Sequence, residues 1–154
     1  EEVLTDLAPL AEQKGIALAS EGDAQTTGSD TLIYRLLFNL AENAIRYSTP
    51  NSTVRISAHV KGDRVLLRVH DQGPGIPEQY QTSIFQPFFR VDKSRSRAYG
   101  GVGLGLALVW EIAALHGGSI EVEESSERGT TMLVTLPAHN IEDVTKELPL
   151  CHIC

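Results

Sequence analysis

"NLAENAIRYS", residues 39–48, decides how the rest of the chain reads. It ends an apolar helical stretch, Leu32 to Leu40, with two asparagines four residues apart and with Glu42 and Arg46 beside them. Asparagine is a mediocre helix former, because its amide competes for backbone hydrogen bonds. At ~100° per residue, Arg35, Asn39, Glu42, Asn43 and Arg46 share an arc of about 100°, while Ile33, Leu36, Leu37, Leu40, Ala41 and Ala44 cover the rest. A solvated helix face would account for such an arc, although solvated faces favour Lys and Glu. Two amide oxygens at i and i+4 are hard donors suited to Mg²⁺, which keeps several waters and substrate phosphates around it.

Working outward, Gly28-Ser29-Asp30 starts this helix, with Ser29 or Asp30 as N-cap, and the helix runs to about Tyr47. Residues 1 to 14 carry Val3, Leu4, Leu7, Leu10 and Ala11 at helical spacing up to Gly15, with Pro9 weakening the middle. "GIALAS" (15–20) reads as a short strand. "TVRISAHV" (53–60) and "RVLLRVHD" (64–71) read as a hairpin, and so do "SIEVEES" and "TTMLVTLP" around Glu127-Arg128-Gly129. A short helix is expected around 77–84 and a longer one from Leu104 to Leu115, stopped by His116-Gly117-Gly118. The element order lacks the strict alternation of a doubly wound sheet. It predicts an α+β two-layer sandwich: a mixed sheet of about five strands covered on one face by about three helices.

Composition sets limits on partners. The 154 residues suffice for one domain with a real core, and the formal net charge of −7 argues against general nucleic-acid binding. No apolar run approaches the roughly 18 residues of a membrane span. The start, Glu-Glu-Val-Leu, has no initiator Met or basic leader and reads as a cut fragment. The two cysteines, Cys151 and Cys154, lie at the very end, so a reducing compartment is expected. The tail from 138 to 154 is expected to be a mobile extension, since Cys151, His152 and Cys154 are incomplete as a zinc site.

Three further stretches carry chemistry. "DQGPGI" (71–76) puts a carboxylate, Asp71, at a strand end, followed by Gly73 and Gly75. That is either a tight turn or a seat where a flat ligand approaches the backbone. "FQPFFRVDKSRSR" (85–97) follows aromatic rings with Arg90, Lys93, Arg95 and Arg97, either a solvated loop or a phosphate-facing flap. "GGVGLGLALV" (100–109) runs glycines into a helix whose free amides suit phosphate. No Lys follows, so it is not a P-loop, and no strand precedes it, so it is not a dinucleotide fingerprint.

Taken in order, these four stretches resemble the ATP-binding catalytic domain of bacterial sensor histidine kinases, in the gyrase, heat-shock chaperone, histidine kinase and MutL superfamily. "NLAENAIRYS" looks like the N box, "DQGPGI" and "GGVGLGLALV" like the two glycine boxes, and "FQPFFRVDKSRSR" like the F box. "HGGSIEVEESSERGTTMLVTLP" (116–137) is similar to the family's closing hairpin. The resemblance implies a Bergerat-type ATP-binding fold over residues 1–137, strongest over 28–137. It implies that Asn43 binds Mg²⁺, that Asn39 supports the metal–phosphate region, that Arg46 reaches phosphate and that Tyr47 lines the nucleotide pocket. Asp71 would take the adenine amino group, with Gly73, Gly75 and Ile76 around the base. Residues 86–103 would be the ATP lid, with Arg90, Arg95, Arg97, Gly101, Val102, Gly103, Leu104 and Gly105 near the phosphates. Val102 stands where many relatives carry Thr or Ser.

Superfamily ATPases use a glutamate one turn before the metal asparagine, and here that position is Asn39, which cannot accept a proton from water. The resemblance therefore implies a kinase: ATP and Mg²⁺ as cofactors, and transfer to a histidine on a separate dimerisation domain. A response regulator would lie downstream. The fragment would be monomeric within a homodimeric full-length protein, as the cytoplasmic domain of an inner-membrane-anchored sensor. None of the five histidines sits in a phosphoacceptor motif. An ATP-hydrolysing domain and a non-catalytic nucleotide binder are the alternatives.

Overall fold

The computed structural model describes residues 2–89, 104–138 and 150–153. Three α-helices occur among them: α1 (Glu2–Lys14), α2 (Asp30–Tyr47) and α3 (Gly105–Leu115). The strands are β1 (Ala17–Gly22), β2 (Ala24–Thr27), β3 (Thr53–Lys61), β4 (Arg64–Asp71), β5 (Ser119–Ser126), β6 (Gly129–Pro137) and β7 (Leu150–Ile153).

Five strands form the main sheet in the order β1-β3-β4-β6-β5. β1 runs parallel to β3, and every other neighbour is antiparallel. This is the mixed sheet expected from the element order. Alternation along β4 buries Val65, Leu67, Val69 and Asp71 on one face and leaves the intervening residues partly open. The buried face meets the helices in one core, where Leu36, Leu40, Ile45, Val54, Leu67, Ile112 and Leu136 are nearly without solvent contact. Of the seven, three come from α2, so this helix forms the floor of the core as well as carrying the polar arc.

Local signals explain most boundaries. Ser29 is the N-cap of α2, its side chain accepting from the Leu32 amide at 3.3 Å. Gly117 ends α3 with φ of +73°, and the Gly118 amide reaches back to the Ala113 carbonyl at 2.8 Å. α1 continues through Pro9 because Val3, Leu7 and Ala11 are buried against the core, and that packing outweighs the weakened turn.

Three elements differ from the sequence reading. The short helix expected over 77–84 is two 3₁₀ turns, Glu78–Tyr80 and Ser83–Phe85. β2 and β7 carry no strand signal of their own. They pair antiparallel as a second, two-stranded sheet, with Thr26 opposite Cys151. A mobile end was expected for the extension, yet its residues Leu150–Ile153 are strand, while residues 139–149 and Cys154 lie outside the described residues.

Candidate functional site

The polar arc of α2 is real. Ile33, Leu36, Leu37, Leu40, Ala41, Ala44 and Ile45 are buried, whereas Asn39, Glu42, Asn43 and Arg46 are half-buried and Arg35 is exposed. Asn39 donates its Nδ2 to the Arg35 carbonyl, one turn back, at 2.8 Å. That bond turns its Oδ1 outward, toward the start of α3: a Cβ on Gly105 would stand 3.3 Å from this oxygen. Asn39 also lines an open cavity of about 420 Å³ with Phe85, Pro87, Leu104, Gly105, Leu108 and Glu111.

Arg46, expected to reach phosphate, has an acidic partner on its own helix. Its guanidinium is ion-paired with Glu42 at 2.7 Å, the i, i+4 geometry of a helix surface. The pairing engages Glu42 at the same time. Tyr47, the last residue of α2, is about half exposed. The end of α2 is closed from outside by Lys14, whose Nζ donates to the Ile45 carbonyl at 2.9 Å and to the Arg46 carbonyl. Burial, and secondarily Arg46, push the Lys14 ammonium below its ordinary value.

Asp71 sits at the end of β4, buried, with only 7% of its surface exposed. The Gly73 amide donates to its Oδ1 at 2.9 Å. Burial raises its carboxyl above the ordinary value, against the opposing pull of the Gly73 and Thr130 amides and of His70. The loop after it is clamped from two sides. A Cβ at Gly73 would come within 2.4 Å of the Tyr47 carbonyl oxygen, and one at Gly75 (φ +85°) within 2.3 Å of the Ser126 carbonyl oxygen. Glycine is required at both positions. Ile76 donates its amide to Ser125 Oγ at 2.7 Å, fastening the far side of the loop to β5.

These ties join the C-terminal end of α2, the 72–76 loop and the β5–β6 hairpin around a buried carboxylate. Asn39, Asn43, Arg46 and Tyr47 lie on the helix beside it, and Leu104 and Gly105 open α3. Leu104 makes no side-chain cap, so the first amides of α3 have no side-chain acceptor at the N-cap. Arg90, Lys93, Arg95, Arg97, Gly101, Val102 and Gly103, and with them residues 90–103 of the expected lid, lie outside the described residues.

Sequence reasoning missed Thr130 and Ser48, both buried. Thr130 pairs with Asp71 across β4 and β6, and its Oγ1 lies 2.8 Å from Ser125 Oγ. Ser48 Oγ accepts from the Gln72 amide at 3.3 Å. The hairpin register could have found Thr130, had the two strands been aligned residue by residue.

The donor set fits Mg²⁺. Asn39 and Asn43 offer amide oxygens, and one or two protein ligands are usual for an ion held mainly by phosphates. Among the described residues no group of three or more His, Cys, Asp or Glu could hold a metal instead. No described helix is long and apolar enough to cross a membrane.

Comparison with known proteins gives a consistent picture. Residues 28–140 match the family of histidine kinase-, DNA gyrase B- and HSP90-like ATPases. The sensor-like histidine kinase SenX3 of Mycobacterium tuberculosis is 46% identical over 111 residues, covering 72% of this chain and 27% of the relative. The circadian input-output histidine kinase CikA of Synechococcus elongatus is 39% identical over 115 residues, 75% of this chain and 15% of the relative. The chain thus spans about a quarter or less of these curated relatives. Among solved structures, the catalytic domain of histidine kinase ThkA superposes with a TM-score of 0.77 at 29% identity, covering 89% of this chain and 88% of that one. The mycobacterial sensor histidine kinase MprB gives 0.75 at 28% identity, over 91% and 95%.

Proposed function

The chain belongs to the histidine kinase-, DNA gyrase B- and HSP90-like ATPase family, and from that premise we propose that it binds Mg²⁺–ATP and delivers the γ-phosphate to a histidine on a separate dimerisation domain. Residues 1–137 are the catalytic domain and 138–154 an appendage to it. The observation that carries the reading is the seat of Asp71: a buried carboxylate at a strand end, ringed by backbone held close by Gly73 and Gly75. A purine fits there, its exocyclic amino group donating to the carboxylate while its flat face lies on glycine backbone. Ile76, partly buried beside the loop, covers an edge of the base. Tyr47 lines the outer wall.

The triphosphate then extends toward the polar arc of α2 and the start of α3. Asn43 supplies the protein ligand to Mg²⁺ and Asn39 supports the phosphates from the same face. Bound Mg²⁺ would neutralise phosphate charge. Arg46, released from Glu42 by a stronger anion, reaches the phosphates, and the amides after Leu104 face them. The basic residues 90, 93, 95 and 97 and the glycines at 101 and 103 complete the phosphate side.

Transfer rather than hydrolysis follows from what stands near Asn43. Asn39 has no proton-accepting group to activate water, and Glu42 projects about 60° round the helix from Asn39, away from the position one turn before Asn43. In the whole protein the fragment would sit in the cytoplasmic part of an anchored, dimeric sensor, with a response regulator downstream. γ-Labelled ATP given to the chain with a separately produced dimerisation domain tests this. Label should appear on the added histidine domain, and the chain alone should release little phosphate. Rapid release, abolished by Glu42→Gln, would replace the kinase reading with an ATPase.

A further inference from the structure

The packing of α2 on α3 is fixed by side chains at both ends of their contact, and one of these lies far from the nucleotide site. At the near end Asn39 Oδ1 approaches Gly105, where an added Cβ would stand 3.3 Å away, close enough that the amide would have to yield by a few tenths of an ångström. At the far end His116, the residue that caps α3, reaches across to the start of α2. Its Nε2 accepts the Ser29 amide at 3.2 Å. Its Nδ1 lies 2.8 Å from the Ile112 carbonyl, which can only accept. Nδ1 therefore carries the proton and Nε2 is bare, and the ring bridges the Ile112 carbonyl of α3, which also accepts the His116 amide at 3.2 Å, to the N-cap amide of α2.

The neighbouring residue is matched to this bridge. A Cβ on Gly28 would fall 2.2 Å from His116 Cδ2 and 2.5 Å from Nε2, inside the ring's own volume. The two fixed points are also equally spaced. At ~1.5 Å per residue they stand about 15 Å apart along α2 and about 16 Å apart along α3. The helices run antiparallel with one register that satisfies both ends.

We propose that His116 is a positioning residue for the triphosphate half of the site: by bridging Ser29 to Ile112 it sets the register of α2 against α3, and so the placement of Asn39 and Asn43 opposite the first amides of α3. This rests on the nucleotide reading above. It separates the site into two parts. The adenine seat hangs on β4, the 72–76 loop and the start of β6, and neither hydrogen bond of the bridge goes to these. The phosphate side is shared between α2 and α3 and depends on their register.

Four variants read the bridge: His116→Gln, which keeps an acceptor at the place of Nε2; His116→Asn, which keeps a donor at the place of Nδ1; His116→Ala; and Gly28→Ala, which displaces the ring. Calorimetry compares a non-hydrolysable ATP analogue, with Mg²⁺, against adenosine, for each variant whose melting curve shows a folded chain. His116→Ala should lose roughly three- to tenfold in affinity for the triphosphate, the worth of one net hydrogen bond, with adenosine unchanged within about twofold. Gly28→Ala should match it, and His116→Gln should recover most of the loss where His116→Asn does not. If the alanine variants do not fold, the Gln and Asn pair carries the comparison alone. Nitrogen-15 spectra of the wild type should show His116 protonated at Nδ1 and bare at Nε2. Equal losses for both ligands, no loss for either, or a proton on Nε2 would each overturn the proposal. Wild-type chain that fails to bind the triphosphate would instead sink the nucleotide reading and this role with it. That outcome is distinct from a wild type that binds as well as its variants do.

Discussion

The burial of Asp71 costs its charged form stability. Its carboxyl titrates above the ordinary 3.8 because burial disfavours the charge more than the Gly73 and Thr130 amides favour it. The folded chain therefore holds a proton that the unfolded chain has already lost, in the window from 3.8 up to the raised value. Stability from this group is present below that window and falls as pH rises through it. Asp71→Asn should flatten this part of the melting temperature–pH curve and leave the apo protein at least as stable at neutral pH. The same change should weaken ATP binding by roughly ten- to hundredfold, because an amide can turn a donor toward the adenine amino group and a charge-assisted bond is lost. Binding within a factor of two of wild type would remove Asp71 from the adenine seat. Asn43→Ala should be the opposite kind of variant, weakening ATP binding in Mg²⁺ far more than in chelator. Equal losses in both titrations would take Asn43 out of the metal site.

At the scale of elements, α2 is the part of the chain most legible in the sequence. Its 3.6-residue apolar period, the Ser29 cap and the polar arc are all local properties, and the structure has each of them. Both main hairpins were legible for the same reason, from alternation and a glycine turn. β2 was not. Only Ala24 among its four residues is strongly apolar, and it is a strand because Thr26 bonds Pro137 and pairs with Ala138 and Cys151, all more than a hundred residues away. The seat of Asp71 was half legible: the strand end and the glycines are local, whereas Thr130 arrives only through the β4–β6 register. The Arg46–Glu42 ion pair was legible in their i, i+4 spacing, beside the phosphate-facing role expected of Arg46. α2 also depends on a neighbour for its ending. Lys14 closes two of its final carbonyls, so Lys14→Met should lower stability by about 1–2 kcal/mol in urea titrations. No change in the midpoint would mean that solvent caps α2 equally well.

Over the whole molecule, the five-stranded sheet and its helices form the working body, and the β2–β7 pair closes over one side of it. Removal of residues after Ala138 should leave β3, β4 and β6 protected in hydrogen exchange while β2 loses protection, since Ala138 still holds Thr26 but the opposite edge is bare. Loss of protection across the whole sheet would show instead that β7 belongs to the folding unit. The ladder also has a kinetic meaning. Residues 24–27 and 150–153 enclose about four-fifths of the chain between them. Bringing such distant segments together forfeits loop entropy that grows with every doubling of the interval, by about 0.6 kcal/mol each time. The return is only a four-residue ladder, so this closure gains from happening after the intervening sheet has shortened the distance. In refolding, amides of β2 should gain protection after those of β4 and β6. A fluorophore at the C-terminal end would then time the completion of folding and stay silent about its start.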